Sequence, residues 1–250
     1  MGVIIAGGIM VYEHSLVSEN DLSKVDVAFF YDERDIKCCF VYFYNWGCFV
    51  MKTSRGIYTV GMTGASGGIY GVTLVKELLR QAYEVHLVMT EAAWLVFEKE
   101  LLYDTTNREA LLQKLFEPND GALHYHELND VAASIASGSF RSEGMIIIPC
   151  SMGTLSSIAH GASNNLLERA ADVMLKEGRK LIVVPRESPL NQLHLENMLK
   201  LTQVGAKIVP AMPGFYHLPE TIDDLVRFQV GKVLDSLGIE HQLFTRWGES

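Results

Sequence analysis

Four short segments carry residue types suited to handling anions and protons. They are Gly61-Met62-Thr63-Gly64-Ala65-Ser66-Gly67-Gly68, Pro149-Cys150-Ser151-Met152-Gly153-Thr154, Pro185-Arg186-Glu187-Ser188-Pro189 and Met212-Pro213-Gly214-Phe215-Tyr216. Each follows an apolar run. Glycine lets a backbone turn tightly, and the start of a following helix offers free N–H groups and a positive dipole end, so the first two segments suit a phosphate. Ser66 can add a hydroxyl. The glycines of the first segment fall at 61, 64, 67 and 68, which matches neither the dinucleotide fingerprint nor a Walker loop. Taken singly, the first segment also reads as a plain turn and Ser151 as a helix N-cap. Taken together, the two suggest a site for a mononucleotide with one phosphate, such as FMN.

The charged groups sharpen that reading. Arg186 and Glu187 follow four apolar residues and a proline, so a guanidinium and a carboxylate sit together at the end of a strand. A carboxylate beside a guanidinium stays ionised and can accept and return a proton. Tyr216 can donate its hydroxyl to a phosphate oxygen or simply pack within its loop. Arg169 and Lys176 are seven residues apart, two turns along one helix face. With Asp172 between them, the alternative is a solvated ion-pair face. His124 and His126 read as surface or structural groups, because no third ligand sits at useful spacing, and no metal site is expected. Cys150 closes an apolar run and reads as core packing.

The elements that must position these residues alternate between strand and helix from Gly56 onward. Strands are predicted at Ile57–Met62, Glu84–Thr90, Met145–Cys150, Lys180–Pro185 and Ala206–Ala211. Helices are predicted at Gly68–Gln81, Glu91–Leu101, Asn107–Phe116, Asn191–Val204 and Thr221–Leu237. A long helix lies between Gly153 and Glu177, with a break near Gly161. The stretch holding His124-Tyr125-His126 reads as irregular, with a short helix from Asn129. The near-continuous apolar strands are those of a parallel sheet buried on both faces. The fold class is α/β: a single doubly wound, mostly parallel sheet, Rossmann-like or flavodoxin-like, with helices on both faces. Ligands of such sheets bind beyond the carboxyl ends of the strands, where all four segments fall.

Residues 1–50 differ from the rest. They hold Cys38, Cys39 and Cys48 and an aromatic run from Phe40 to Trp46, without clean alternation or a hairpin signal. Met51 opens Met51-Lys52-Thr53-Ser54-Arg55-Gly56 just before the first well-formed strand. The expected organisation is therefore an N-terminal extension over 1–50 and a catalytic domain over 51–250. The extension is either an upstream start read in frame or a real, partly ordered segment.

Composition excludes several function classes. With 48% hydrophobic and 20% charged residues, the 250-residue chain can bury a large core. Its 21 Lys+Arg against 30 Asp+Glu give a net charge of -9, which argues against coating nucleic acid. No stretch approaches the ~18 apolar residues of a membrane span. The four cysteines fit neither a disulfide framework nor a spaced zinc site. A cytoplasmic protein without nucleic-acid or membrane partners is expected.

From Tyr58 to about His241 the chain resembles the UbiX-type flavin prenyltransferases, a family that includes phenolic acid decarboxylase B subunits. The matching residues are Gly61 to Gly67, Pro149 to Ser156, Asn164 to Asp172, Pro185-Arg186-Glu187, His194 to Met198 and Pro213 to Tyr216. The resemblance implies transfer of a dimethylallyl group from dimethylallyl phosphate to reduced FMN, at N5 and then by ring closure at C6. The prenylated FMN would serve a UbiD-type decarboxylase. It also implies metal independence and a large homo-oligomer, such as a dodecamer, with sites completed by neighbouring subunits. By position, Gly64, Ala65, Ser66, Thr90, Ser151, Met152, Gly153, Thr154 and Arg186 would hold FMN. Lys176, Arg186, Tyr216 and Lys232 would grip the donor phosphate, with Arg169 reaching it from a neighbour. Glu187 would move the proton and Ser66 would orient it. Lys232 stands where the family usually has arginine, which keeps the charge but loses the planar fork. A flavin-binding accessory subunit and a flavin-dependent cysteine decarboxylase are the competing readings.

Overall fold

The computed structural model describes residues 54–116 and 119–248 with their side chains, together with the backbone of five strands between Val3 and Met51. It divides into two units, Met1–Arg55 and Gly56–Ser250. In the first unit, β1 (Val3–Ala6), β2 (Ile9–Glu13), β3 (Asp26–Asp32), β4 (Asp35–Tyr44) and β5 (Gly47–Met51) each pair antiparallel with the next. The sequence pattern gave no strands here. The β-branched and aromatic content of runs such as Phe40-Val41-Tyr42-Phe43 suits extended chain even where alternation is blurred. The side chains of residues 1–50, and with them the expected role as an appendage, lie outside the described residues.

The second unit is built on six strands: β6 (Ile57–Met62), β7 (Glu84–Met89), β8 (Ala122–His126), β9 (Gly144–Cys150), β10 (Lys180–Pro185) and β11 (Lys207–Ile208). All pair parallel, in the order β8-β7-β6-β9-β10-β11. The first strand lies centrally, the next two step one way and the last three the other, which is the order of a Rossmann-type fold. The order reverses between β6 and β9.

Alternation within the strands sorts the core into two layers. Val60, Met62, Leu87, Ile146, Ile148, Ile182 and Val184 face α1 (Gly68–Arg80), α2 (Glu91–Glu100), α3 (Arg108–Phe116) and α7 (Ile222–Leu237). Met145, Ile147, Leu181 and Val183 face α4 (Met152–Ala159), α5 (Leu166–Lys176) and α6 (Gln192–Gln203). Gly61 meets α5 closely: a Cβ there would stand 3.0 Å from Leu167 Cδ1. The expected long helix is two helices, α4 and α5, separated at Gly161, which takes a left-handed φ of 68°. Asn165 starts the second by accepting from the Glu168 N–H at 3.0 Å.

Three expectations need correction. The stretch around His124 is strand β8, an edge strand whose mixed polar sequence hides its pairing with β7. The expected last strand over 206–211 is a ladder only at Lys207–Ile208, although the Val209 and Ala211 N–H groups still donate to the Val183 and Pro185 carbonyls of β10. The short helix expected from Asn129 is a set of turns ending in one 3₁₀ turn at Ser134–Ala136. Among the described residues no helix is long and apolar enough to cross a membrane.

Candidate active site

The switch between β6 and β9 brings the first two sequence segments side by side. Thr63, 1% exposed, is the fastener. Its hydroxyl donates to the Pro149 carbonyl at 2.8 Å and accepts from the Ser151 N–H at 2.8 Å. Its own N–H donates to the same carbonyl at 3.2 Å. The loops after β6 and β9 are thereby locked edge to edge.

The loop after β6 lies tight against α2. A Cβ on Gly64 would come within 2.4 Å of Ala92 Cβ, so only glycine allows this approach. Gly67 adopts a left-handed φ of 99° at the start of α1, where the backbone turns upward into the helix. No side chain caps α1, but the Gly67 N–H donates to Glu100 Oε2 at 2.8 Å. A carboxylate thus occupies an N–H at a helix start of the kind that receives phosphate oxygens. Thr90, at the end of β7, caps α2 by accepting from the Ala93 N–H at 3.2 Å, and its own N–H donates to the Met62 carbonyl.

Ser151 caps α4, its hydroxyl accepting from the Thr154 N–H at 3.3 Å and donating to Thr154 Oγ1 at 3.1 Å. Gly153 is exposed, and a Cβ there would meet nothing within 4 Å. The Met152 side chain turns into the core, so only its backbone faces outward. Cys150 is fully buried, and burial pushes its thiol up, as expected of a packing residue.

The third segment joins the first two. The register between β9 and β10 shifts between Val183 and Pro185, a local irregularity of the kind that re-aims the residue that follows. The Arg186 N–H donates to the Cys150 carbonyl at 3.2 Å. Its Nε donates to the Ser66 carbonyl at 3.2 Å, which lays the guanidinium across the glycine loop. Tyr70, one turn into α1, feels the same charge: burial pushes its hydroxyl up, and Arg186 pulls it back. Glu187 is exposed beside it, one carboxylate oxygen taking the Ser188 N–H at 3.0 Å. Gly64, Ala65, Ser66, Thr90, Ser151, Met152, Gly153, Thr154, Arg186 and Glu187 therefore occupy one rim.

The remaining predicted residues form two other groups within the chain. Tyr216 packs edge-on against Phe228 of α7 and against Trp247, with centroids 5.5 Å apart in both cases. Lys232, one turn beyond Phe228, stands 3.7 Å from Asp235. Arg169 donates to Asp172 at 2.8 Å and to the Ala136 carbonyl at 3.2 Å. Lys176 pairs with Glu177 at the end of α5, just before Lys180 opens β10. Arg186 follows the other end of β10. Six strand residues, about 20 Å at 3.3 Å each, therefore separate the two cations of the expected clamp. Thr63, Tyr70 and Glu100 belong to the rim and were not singled out from sequence. Thr63 and Tyr70 lie in or next to the glycine segment, whereas nothing in the spacing pointed to Glu100.

The Flavoprotein family matches residues 51–234. The chain is 70% identical over 193 residues to the flavin prenyltransferase UbiX of Alkalihalophilus pseudofirmus, covering 77% of this chain and 96% of that one. It is 48% identical over 195 residues to the flavin prenyltransferase UbiX of Pseudomonas aeruginosa, covering 76% and 93%. Among solved structures it resembles AnUbiX (PadA1) in complex with FMN and dimethylallyl pyrophosphate, with a TM-score of 0.71, 41% identity, and 78% and 98% of the two chains covered. It also resembles a dodecameric FMN-dependent UbiX-like decarboxylase from Escherichia coli O157:H7, with a TM-score of 0.68, 48% identity, and 76% and 98% covered.

Proposed function

The chain belongs to the UbiX-type flavin prenyltransferases of the Flavoprotein family, and on that premise we propose that it joins a dimethylallyl group from dimethylallyl phosphate to reduced FMN. The observation that carries the proposal is the Arg186 Nε bond to the Ser66 carbonyl, which sets a permanent cation over the glycine loop at the switch point. The residues of that rim fit a flavin mononucleotide. The Gly67 N–H already receives a carboxylate, and the uncapped start of α1 can take a phosphate in its place. Ser66, Ser151, Thr154 and Thr90 add hydroxyls around it.

Held by Ser66, Thr90, Ser151, Thr154 and Arg186, reduced FMN would supply an electron-rich acceptor for the prenyl group, with N5 and C6 as the acceptor atoms in this proposal. The chain's own part is to loosen the donor and manage one proton. Arg186 neutralises charge that builds on the departing phosphate, and preorganised charge of this kind is the main catalytic term for an ionising donor. Glu187 carries the proton between N5 and the leaving phosphate, and Ser66 orients it. Tyr216 and Lys232 hold the phosphate from the α7 side.

Lys176 lies at the far end of β10 from Arg186, so its contribution has to come from a neighbouring copy, as does that of Arg169. The dodecameric relative supports an assembly that could supply them. We assign this activity to residues 51–250, to a cytoplasmic homo-oligomer, and to the supply of a UbiD-type decarboxylase.

The test is anaerobic incubation of the chain with reduced FMN, followed by mass analysis of the flavin. Dimethylallyl phosphate and dimethylallyl pyrophosphate are supplied in separate reactions, because the similar structure holds the latter. A five-carbon gain with the monophosphate is expected. No gain with either donor would favour an accessory flavin-binding subunit.

A further inference from the structure

Outside the rim, strands β7 and β8 place four ligand-type side chains on one face. Glu84 and His86 alternate along β7, and His124 and His126 alternate along β8, with His86 opposite His124 in the register. His86 Nε2 lies 2.9 Å from Glu84 Oε1, and His124 Nε2 lies 3.4 Å from the same oxygen. The three ligand atoms all fall within 4.8 Å of one another. A tetrahedral zinc ion with bonds of about 2.0–2.1 Å needs ligand atoms about 3.3 Å apart, so the set is within a small adjustment of closing on one ion.

The surroundings are those of a supported site. His86 Nδ1 is held by His126 Nε2 at 2.8 Å, and the two rings stack with centroids 5.0 Å apart. Metal-bound imidazoles have such a partner on the second nitrogen, because it fixes the ring and the tautomer. Phe140 packs edge-on against His86, centroids 4.9 Å apart, and closes the inner side. The outer side is open: His124 is exposed, which gives an ion an entry path and room for water as a further ligand. Spacing along the chain hid this set, because the missing ligands come from the neighbouring strand.

The geometry points to a divalent metal site of the zinc class, ligated by Glu84, His86 and His124 and supported by His126, that staples edge strand β8 to β7. Two imidazoles and one carboxylate are a borderline donor set that suits zinc and cobalt(II) better than magnesium or calcium. The role is structural, and no step of prenyl transfer passes through it.

The experiment uses the tag-free full-length chain, stripped with EDTA and titrated first with Co²⁺ and then with Zn²⁺. One equivalent of Co²⁺ should bind with the strong visible absorption of a four- or five-coordinate ion, and Zn²⁺ should displace it and raise Tm. His124→Ala and Glu84→Gln, both at partly exposed positions, should abolish that absorption and the Tm rise while keeping the metal-free Tm. His126→Gln should weaken binding by about 10–100-fold, the usual effect of losing an outer partner. Three results would overturn the proposal. One is binding only at millimolar metal. Another is wild-type binding in both ligand variants. The third is thiolate-to-cobalt absorption, which would put the ion on cysteine instead.

Discussion

Thr63 does more for the rim than any residue chosen for its chemistry. Its hydroxyl satisfies a carbonyl and an N–H of the opposite loop, both brought close by the β6–β9 crossover. Thr63→Val keeps the shape but leaves the Ser151 N–H without that partner, which should cost about 1–3 kcal/mol, read as a lower Tm. An unchanged Tm would show that the loops hold without it. A threonine inside a glycine segment carries no signal of this role, because its partners lie 86 and 88 positions away. The same is true of Glu100, which reaches the Gly67 N–H from the end of α2. Gly64, Ser66, Arg186 and Glu187 were legible, because their chemistry and their place after apolar strands are written locally.

At the scale of elements, most of the fold could be read from apolar runs. β6 and β10 fall where their sequences placed them, because strands buried on both faces have no polar interruptions to blur their ends. β8 was missed because an edge strand needs only one covered face, and Ala-Leu-His-Tyr-His shows no such run. The end of α7 shows how charge secures an element. Burial alone would push the Asp235 carboxyl up. Arg246 at 2.7 Å, His241 at 3.1 Å and Lys232 at 3.7 Å hold it below its usual value instead. A carboxyl held low contributes stability above its unfolded pKa of about 3.9 and loses it as pH falls through the lower folded value. Asp235→Asn should therefore lower Tm at neutral pH, and the gap to wild type should close as pH drops below about 4. A gap that persists in acid would assign the effect to packing. Gly64→Ala is the matching test of shape: the added methyl would stand 2.4 Å from Ala92 Cβ, so the loop must move, and FMN retention on gel filtration should fall.

The whole molecule is where local reading stops. Arg169, Lys176, Tyr216 and Lys232 were legible as types, but within one chain Lys176 ends α5 at the far end of β10 from Arg186. A clamp built from copies predicts complementation: Lys176→Ala and Arg186→Ala oligomers, each inactive, should regain part of the transfer rate when co-expressed, because mixed interfaces rebuild some intact sites. Continued inactivity in verified mixed oligomers would return both residues to one protomer's site or remove Lys176 from it. The claim beneath all of this is that the Ser66–Arg186–Glu187 rim performs prenyl transfer to flavin. It is tested most directly by the mass of the flavin recovered from wild type and Glu187→Gln after anaerobic reaction with dimethylallyl phosphate. The expected result is a five-carbon adduct in wild type and bound, unmodified FMN in the variant, with a rate lower by about 10²–10⁴-fold. Equal adduct formation in the two, or none in wild type, would contradict it.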